Sequence, residues 1–263
     1  MGAAAAAAGG TTGTATTSNG RTVEETDIYR VDGDRLYYLN SYRGLLVFDI
    51  NDVDHPKLLG RSPIFGSPDE MVVKNGIATV VVSDWYGTDE GGQPFHGSIT
   101  RGLDVSDPTN IKVLGEARLG GWVRDTRVVG DVLYAVSEDY GWSYGWDTYS
   151  STNESKIVVA SVSFAVGQFH AVSQRTYTGY SGIFNVTPSS ILLAHDLASN
   201  GGSGAAQTEL RYLDISDPAG AIVERGAITV AGAPAYGADA GRWTVDFSDG
   251  NTAHVLGCNG TYY

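Results

Sequence analysis

Three segments of the chain are copies of one another: LLVFDIND (45–52), ITRGLDVSDP (99–108) and ELRYLDISDP (209–218). Self-similarity of this kind confines a chain to stacked supersecondary units, because each unit buries its apolar faces only against a neighbour. The aligned aspartates are Asp49, Asp104 and Asp214. The first two lie 55 positions apart and the last two 110, twice that period, which predicts a further copy near position 160. KIVVASVSF supplies it and places Ser161 at the aspartate position.

A second motif precedes each copy: IYRVDGDRLYYL (28–39), MVVKNGIATVVV (71–82), TRVVGDVLYAVS (126–137) and IFNVTPSSILLA (183–194). Each is a pair of β-prone runs around Gly, Asn, Asp or Pro-Ser, the signature of a hairpin. Asp107-Pro108, Asp217-Pro218 and His55-Pro56 then begin a turn, since proline presets φ for its second position. Short apolar runs such as KLLGR and KVLGE follow. Each repeat of about 50 residues is therefore expected to hold four antiparallel strands, the content of one β-propeller blade. The expected blades span 27–65, 69–120, 123–178 and 182–232. A partial fifth at 242–263 turns at Ser248-Asp249-Gly250. Four blades and a hairpin do not close a ring, so the expectation is a piece of a larger propeller.

LLVFDI, RGLDVSDP and RYLDISDP with their preceding hairpins resemble the LVIVD-type repeats of bacterial secreted β-propeller proteins, distant relatives of WD40 propellers. The likeness covers about residues 27–257. It implies an extracellular or envelope location and brings no catalytic residues with it.

Composition agrees with an all-β chain: 35 glycines, 15 tyrosines and only two methionines. The net charge of −13 leaves no basic stripe for phosphates, so neither nucleic acid nor an anionic membrane is expected as a partner. No apolar run approaches the roughly 20 residues of a membrane span. Residues 1–24 are mostly Ala, Gly, Thr and Ser, a composition expected to form a flexible leader; no signal peptide is visible in it. Cys258 is the one cysteine, which excludes an intrachain disulfide framework or a thiolate metal cluster.

Ligand chemistry is expected on the face carrying the links between second and third strands, which are long in three blades: 83–101, 138–155 and 195–209. The blade 3 insert holds Tyr140, Trp142, Tyr144, Trp146 and Tyr149; the blade 2 insert holds Trp85 and Tyr86. Such rings can stack on a carbohydrate or a protein ligand, or fold back and pin long loops. The main expectation is a non-catalytic binding or scaffold module. A polysaccharide hydrolase using carboxylates among Asp84, Asp89, Glu90, Glu138 and Asp139 is the alternative, as is a structural piece whose function lies elsewhere. No cofactor or metal is expected. The repeat aspartates sit on separate blades and suit hydrogen bonds to turn amides better than a shared ion. His55, His96, His170, His195 and His254 lack zinc-motif spacing.

Overall fold

The turns that punctuate the sequence close hairpins, and the hairpins build antiparallel sheets in chain order. The computed structural model describes residues 21–88, 91–140, 142–144, 149–151, 154–165, 168–197, 206–234, 244–247 and 252–258. After a short strand β1 (Val23–Glu24), blade 1 comprises β2 (Tyr29–Asp32), β3 (Arg35–Asn40), β4 (Gly44–Asp49) and β5 (Lys57–Ser62). Blade 2 comprises β6 (Ser67–Lys74), β7 (Ile77–Thr88), β8 (Pro94–Asp104) and β9 (Lys112–Gly120). Blade 3 begins with β10 (Trp122–Val129) and β11 (Val132–Asp139), adds a side hairpin of β12 (Trp142–Tyr144) and β13 (Tyr149–Ser151), and ends with β14 (Lys156–Ser163) and β15 (His170–Thr178). Blade 4 comprises β16 (Tyr180–Val186), β17 (Ser190–Asp196), β18 (Gln207–Asp214) and β19 (Val223–Ala231). A small fifth unit pairs β20 (Ala233–Pro234) with β23 (Gly257–Cys258), and β21 (Val245–Asp246) with β22 (His254–Val255). In every blade the four strands lie side by side in sequence order. The architecture is an all-β propeller. Among the described residues no helix is long and apolar enough to cross a membrane.

Turn chemistry sets the register of the first hairpins. Asn75-Gly76 joins β6 to β7 with φ of 53° and 75°, the left-handed pair that a type I′ turn requires. The strands then read as continuous apolar runs, as expected when both faces of a sheet are covered. All of Ile77–Ser83 is buried. Val80 and Val82 pack with Tyr37, Leu39, Leu45 and Val47 of blade 1. Ile77 and Val81 face the other way and pack with Val128, Leu133 and Ala135 of blade 3. Val132, Tyr134 and Val136 meet Phe184, Ile191 and Leu193 of blade 4, whose far face is covered by Val245 and Phe247. Blade 1 differs on its reverse face. Tyr29, Val31 and Tyr38 are 54%, 53% and 37% exposed at the ladder positions that Met71, Val73 and Val80 hold, buried, in blade 2.

The repeat aspartates cap turns. Asp49 accepts from Asn51 N at 2.9 Å, Asp104 from Ser106 N at 3.1 Å and Asp214 from Ser216 N at 2.9 Å. Hydrogen bonds from Ser216, followed by Arg225, hold the Asp214 carboxyl down at about 2. Each of these aspartates pairs with the first residue of the second strand: Asp49 with Arg35, Asp104 with Ile77, Asp214 with Ser190. In blade 3 the residue so paired, opposite Val132, is Ser163. The expected Ser161 is therefore two residues out of register, because a fixed period assumes inserts of equal length. Ser163 keeps the role, accepting from Ala165 N at 3.5 Å, while Ser161 donates across to Gly220 O at 2.6 Å.

Gly60 of KLLGR shows how closely the blades approach. A Cβ there would overlap the carbonyl of Pro108, in the turn that follows the third strand of blade 2. A Cβ on Gly226, by contrast, would meet no atom of the described residues beyond its chain neighbours within 4 Å. Gly60→Ala is expected to lower unfolding free energy by about 1–3 kcal/mol through overpacking, and Gly226→Ala to change it by less than about 0.5 kcal/mol. Urea denaturation of the two variants checks this; equal midpoints would contradict the close approach.

Candidate functional site

The blade 2 insert is not a loop. It extends β7 and β8 into a long hairpin whose pairing continues from Trp85 opposite Gly97 to Thr88 opposite Pro94, beyond a bulge between Val82 and Trp85. Asp84 occupies that bulge with φ of 50°. One extra residue re-aims the side chains that follow it. Trp85 is directed back over its own strand: a Cβ on Gly87 would run into its ring. It packs on Phe95, centroids 5.9 Å apart, and on the blade 1–blade 2 core. Trp85 thus serves the scaffold. Tyr86 points outward, 58% exposed, and stacks on His96 with ring centroids 3.8 Å apart and planes 14° from parallel.

From His96 the aromatic surface crosses to blade 3. Trp122, at the start of β10, meets His96 edge-on at 5.3 Å and Tyr140 at 6.0 Å. Arg124 lies over the Tyr140 ring, its Cζ 5.6 Å from the centroid. The strip therefore runs Tyr86, His96, Trp122, Tyr140, Arg124 across the blade 2–blade 3 junction. The two blades are tied there by Ser98, whose N donates to Gly121 O at 2.7 Å and whose hydroxyl accepts from Val123 N at 3.0 Å.

Charges within the strip are matched at short range. His96 Nε2 lies 2.7 Å from Asp84 Oδ1; a carboxylate only accepts, so Nε2 carries the proton. Glu138 Oε2 accepts from Arg124 Nε at 2.9 Å and from Tyr140 OH at 2.7 Å, and its Oε1 accepts from Gly182 N of blade 4 at 2.9 Å. Both Glu138 oxygens are thus committed to holding the strip. Asp196 at the end of β17 differs: it is 4% exposed and, among the described residues, nothing donates to its Oδ1. Burial, with the Glu138 charge adding to it, pushes its carboxyl up to about 6.

Of the seven aromatic residues read from the sequence, Tyr86 and Tyr140 are brought together in the strip, and Trp85 is not. The backbones of Trp142, Tyr144 and Tyr149 lie on the side hairpin, with Tyr144 opposite Tyr149; Trp146 lies outside the described residues. His96, Trp122 and Arg124 were not among the expected residues. Trp122 follows Gly120-Gly121, a link that emerges on the same face, and that position was its one visible signal. Among the described residues no three His, Cys, Asp or Glu side chains are grouped to hold a metal ion.

The pH dependence of Asp196 follows from its burial. An ordinary aspartate titrates near 4 when unfolded (about 3.9), so the folded chain binds this proton more tightly. Its contribution is favourable at low pH and is lost as pH rises from about 4 to about 6. Asp196→Asn, which never ionises, is expected to match the parent at pH 4 and to be more stable at pH 7, on the order of 1–3 kcal/mol. Urea titrations at the two pH values test this; a variant no more stable than the parent at pH 7 would refute it.

A family model described as a beta propeller domain matches residues 14–157. No curated protein matches the chain.

Proposed function

This chain belongs to the beta propeller domain family, and from that premise we propose that it is a non-catalytic binding module. Its ligand face is the strip of Tyr86, His96, Trp122, Tyr140 and Arg124. The observation that carries this reading is the continuity of the strip across two blades. A run of contacting aromatic rings, headed by the exposed Tyr86 and with an arginine at the other end, suits the ring faces and hydroxyls of a carbohydrate or the side chains of a protein ligand. The hydrogen-bonded pair Asp84–His96 and the ion pair Glu138–Arg124 engage the carboxylates beside the rings, so affinity would come from stacking and shape.

The hydrolase reading fares less well. A glycosidase needs two carboxylates poised about 5–9.5 Å apart over an open cleft, one of them free to give a proton. Glu138 is locked by three donors and Asp84 is paired with His96. Asp89 and Glu90 lie outside the described residues. The repeat sequences LLVFDI, RGLDVSDP and RYLDISDP support the finer assignment to the LVIVD-type group, and with it an extracellular or envelope location.

Glycan and peptide arrays probed with the whole chain test the proposal. Tyr86→Ala is expected to weaken any captured ligand at least about tenfold, as loss of an anchoring aromatic contact does. Tyr42→Ala, at the short turn of blade 1 and 96% exposed, is expected to leave binding intact. Equal binding by Tyr86→Ala and the parent would refute the strip as the ligand face.

A further inference from the structure

The first strand of a blade normally has one neighbour, the second strand. In blade 3 the free edge of β10 is occupied by β1, with Val23 opposite Val129 and Glu24 opposite Val128. Three residues on, Asp27 and Met71 exchange two backbone hydrogen bonds of 3.1 and 2.8 Å, so the same segment also occupies the free edge of β6 in blade 2. At its beginning Arg21 donates to Ile215 O of blade 4 at 2.7 Å and to Val129 O at 3.3 Å. Residues 21–27 therefore touch blades 4, 3 and 2 in turn before the chain enters blade 1.

Side chains fix the segment specifically. Thr26 Oγ1 lies 2.6 Å from Glu70 Oε2 of blade 2 and 2.7 Å from Thr126 Oγ1 of blade 3, and Thr126 itself donates to the same Glu70 oxygen at 2.6 Å. One carboxylate oxygen is thus held jointly by the segment and by blade 3. Lys74 Nζ reaches Glu24 at 3.3 Å and Gly130 O at 2.6 Å, and Arg127 lies 3.6 Å from Glu25. Every one of these partners stands on β6 or β10 or on the turn after β10. The second of those strands also bears on the strip: Trp122 and Arg124 stand on β10 on either side of Val123, whose amide is bound by Ser98 of blade 2, and Val123 is three residues from Thr126.

We propose that residues 21–27 are a latch, seated as an added strand on the free edges of blades 2 and 3, that sets their mutual register. The latch thereby aligns the two halves of the strip, Tyr86 and His96 on one blade and Trp122, Tyr140 and Arg124 on the other. The alignment of a ligand site rests on the function proposed above; the latch itself does not.

Hydrogen exchange on the whole chain separates the two. Thr26→Val keeps the shape and removes the shared hydroxyl, whereas Thr26→Ser restores it. In the parent, the amides of Asp27 and Met71 are expected to be protected, and Thr26→Val to speed their exchange about tenfold, the loss of roughly one net hydrogen bond. The amides of Ser98 and Val123, at the strip, are expected to accelerate in parallel, and Thr26→Ser to behave as the parent. Exchange of Asp27 and Met71 at unstructured rates in the parent would overturn the latch. Acceleration of those two with Ser98 and Val123 unchanged would overturn its control of the blade 2–blade 3 register, whatever the arrays show about ligands.

Discussion

The central strands of blades 2, 3 and 4 are apolar on both faces, and a sheet of that kind is stable only when something covers each face. That requirement explains why neighbouring residues in one strand serve different interfaces: Val80 and Val82 look to blade 1 while Val81 looks to blade 3. Hydrogen bonding holds each blade together internally, but apolar contact between blades holds the blades to one another. Little room is left at these junctions, as the contact between Gly60 and the Pro108 carbonyl shows. On this packing depends the placing of every exposed residue, because Tyr86 and Trp122 come near each other only as far as blades 2 and 3 are pressed together.

The strands, turns and blade content were legible in the sequence because they are governed by local chemistry. Asn75-Gly76 needs positive φ, Asp104 needs the amide two residues on, and such demands leave their mark within four or five residues. Registration across unequal inserts is not local, which is why Ser161 was expected where Ser163 stands. The strip was less legible still. Its members come from β7, β8, β10 and the residue just after β11, and nothing in the spacing of Tyr86, His96, Trp122 and Arg124 along the chain announces that they meet. Aromatic density drew attention to Trp85, yet a bulge of one residue decided that Trp85 turns inward and Tyr86 outward.

The strip also shows how an acidic chain, at a net −13, can present a face of mixed character. Its carboxylates are engaged locally by His96 and Arg124, each of which does two things: it hydrogen-bonds a carboxylate and offers a surface to an adjacent ring. Glu138 extends the arrangement to blade 4 through the Gly182 amide. Three blades are thus connected at this face by groups that are polar without being unpaired. Asp196 stands apart, buried, with no donor to its Oδ1 among the described residues, and its burial favours the protonated form.

The added strand at the edge of blades 2 and 3 has a consequence for the order in which the molecule assembles. Its contacts span long stretches of chain, 108 residues from Arg21 to Val129 and 194 to Ile215, and closing loops of that size is entropically costly before the partner surfaces exist. Nothing local can hold Val23–Glu24 extended, since the strand has only two residues and its ladder partner is β10. The segment must therefore wait until blades 2, 3 and 4 have each formed and stacked. Residues 21–27 thus depend for their conformation on blades that lie far along the chain.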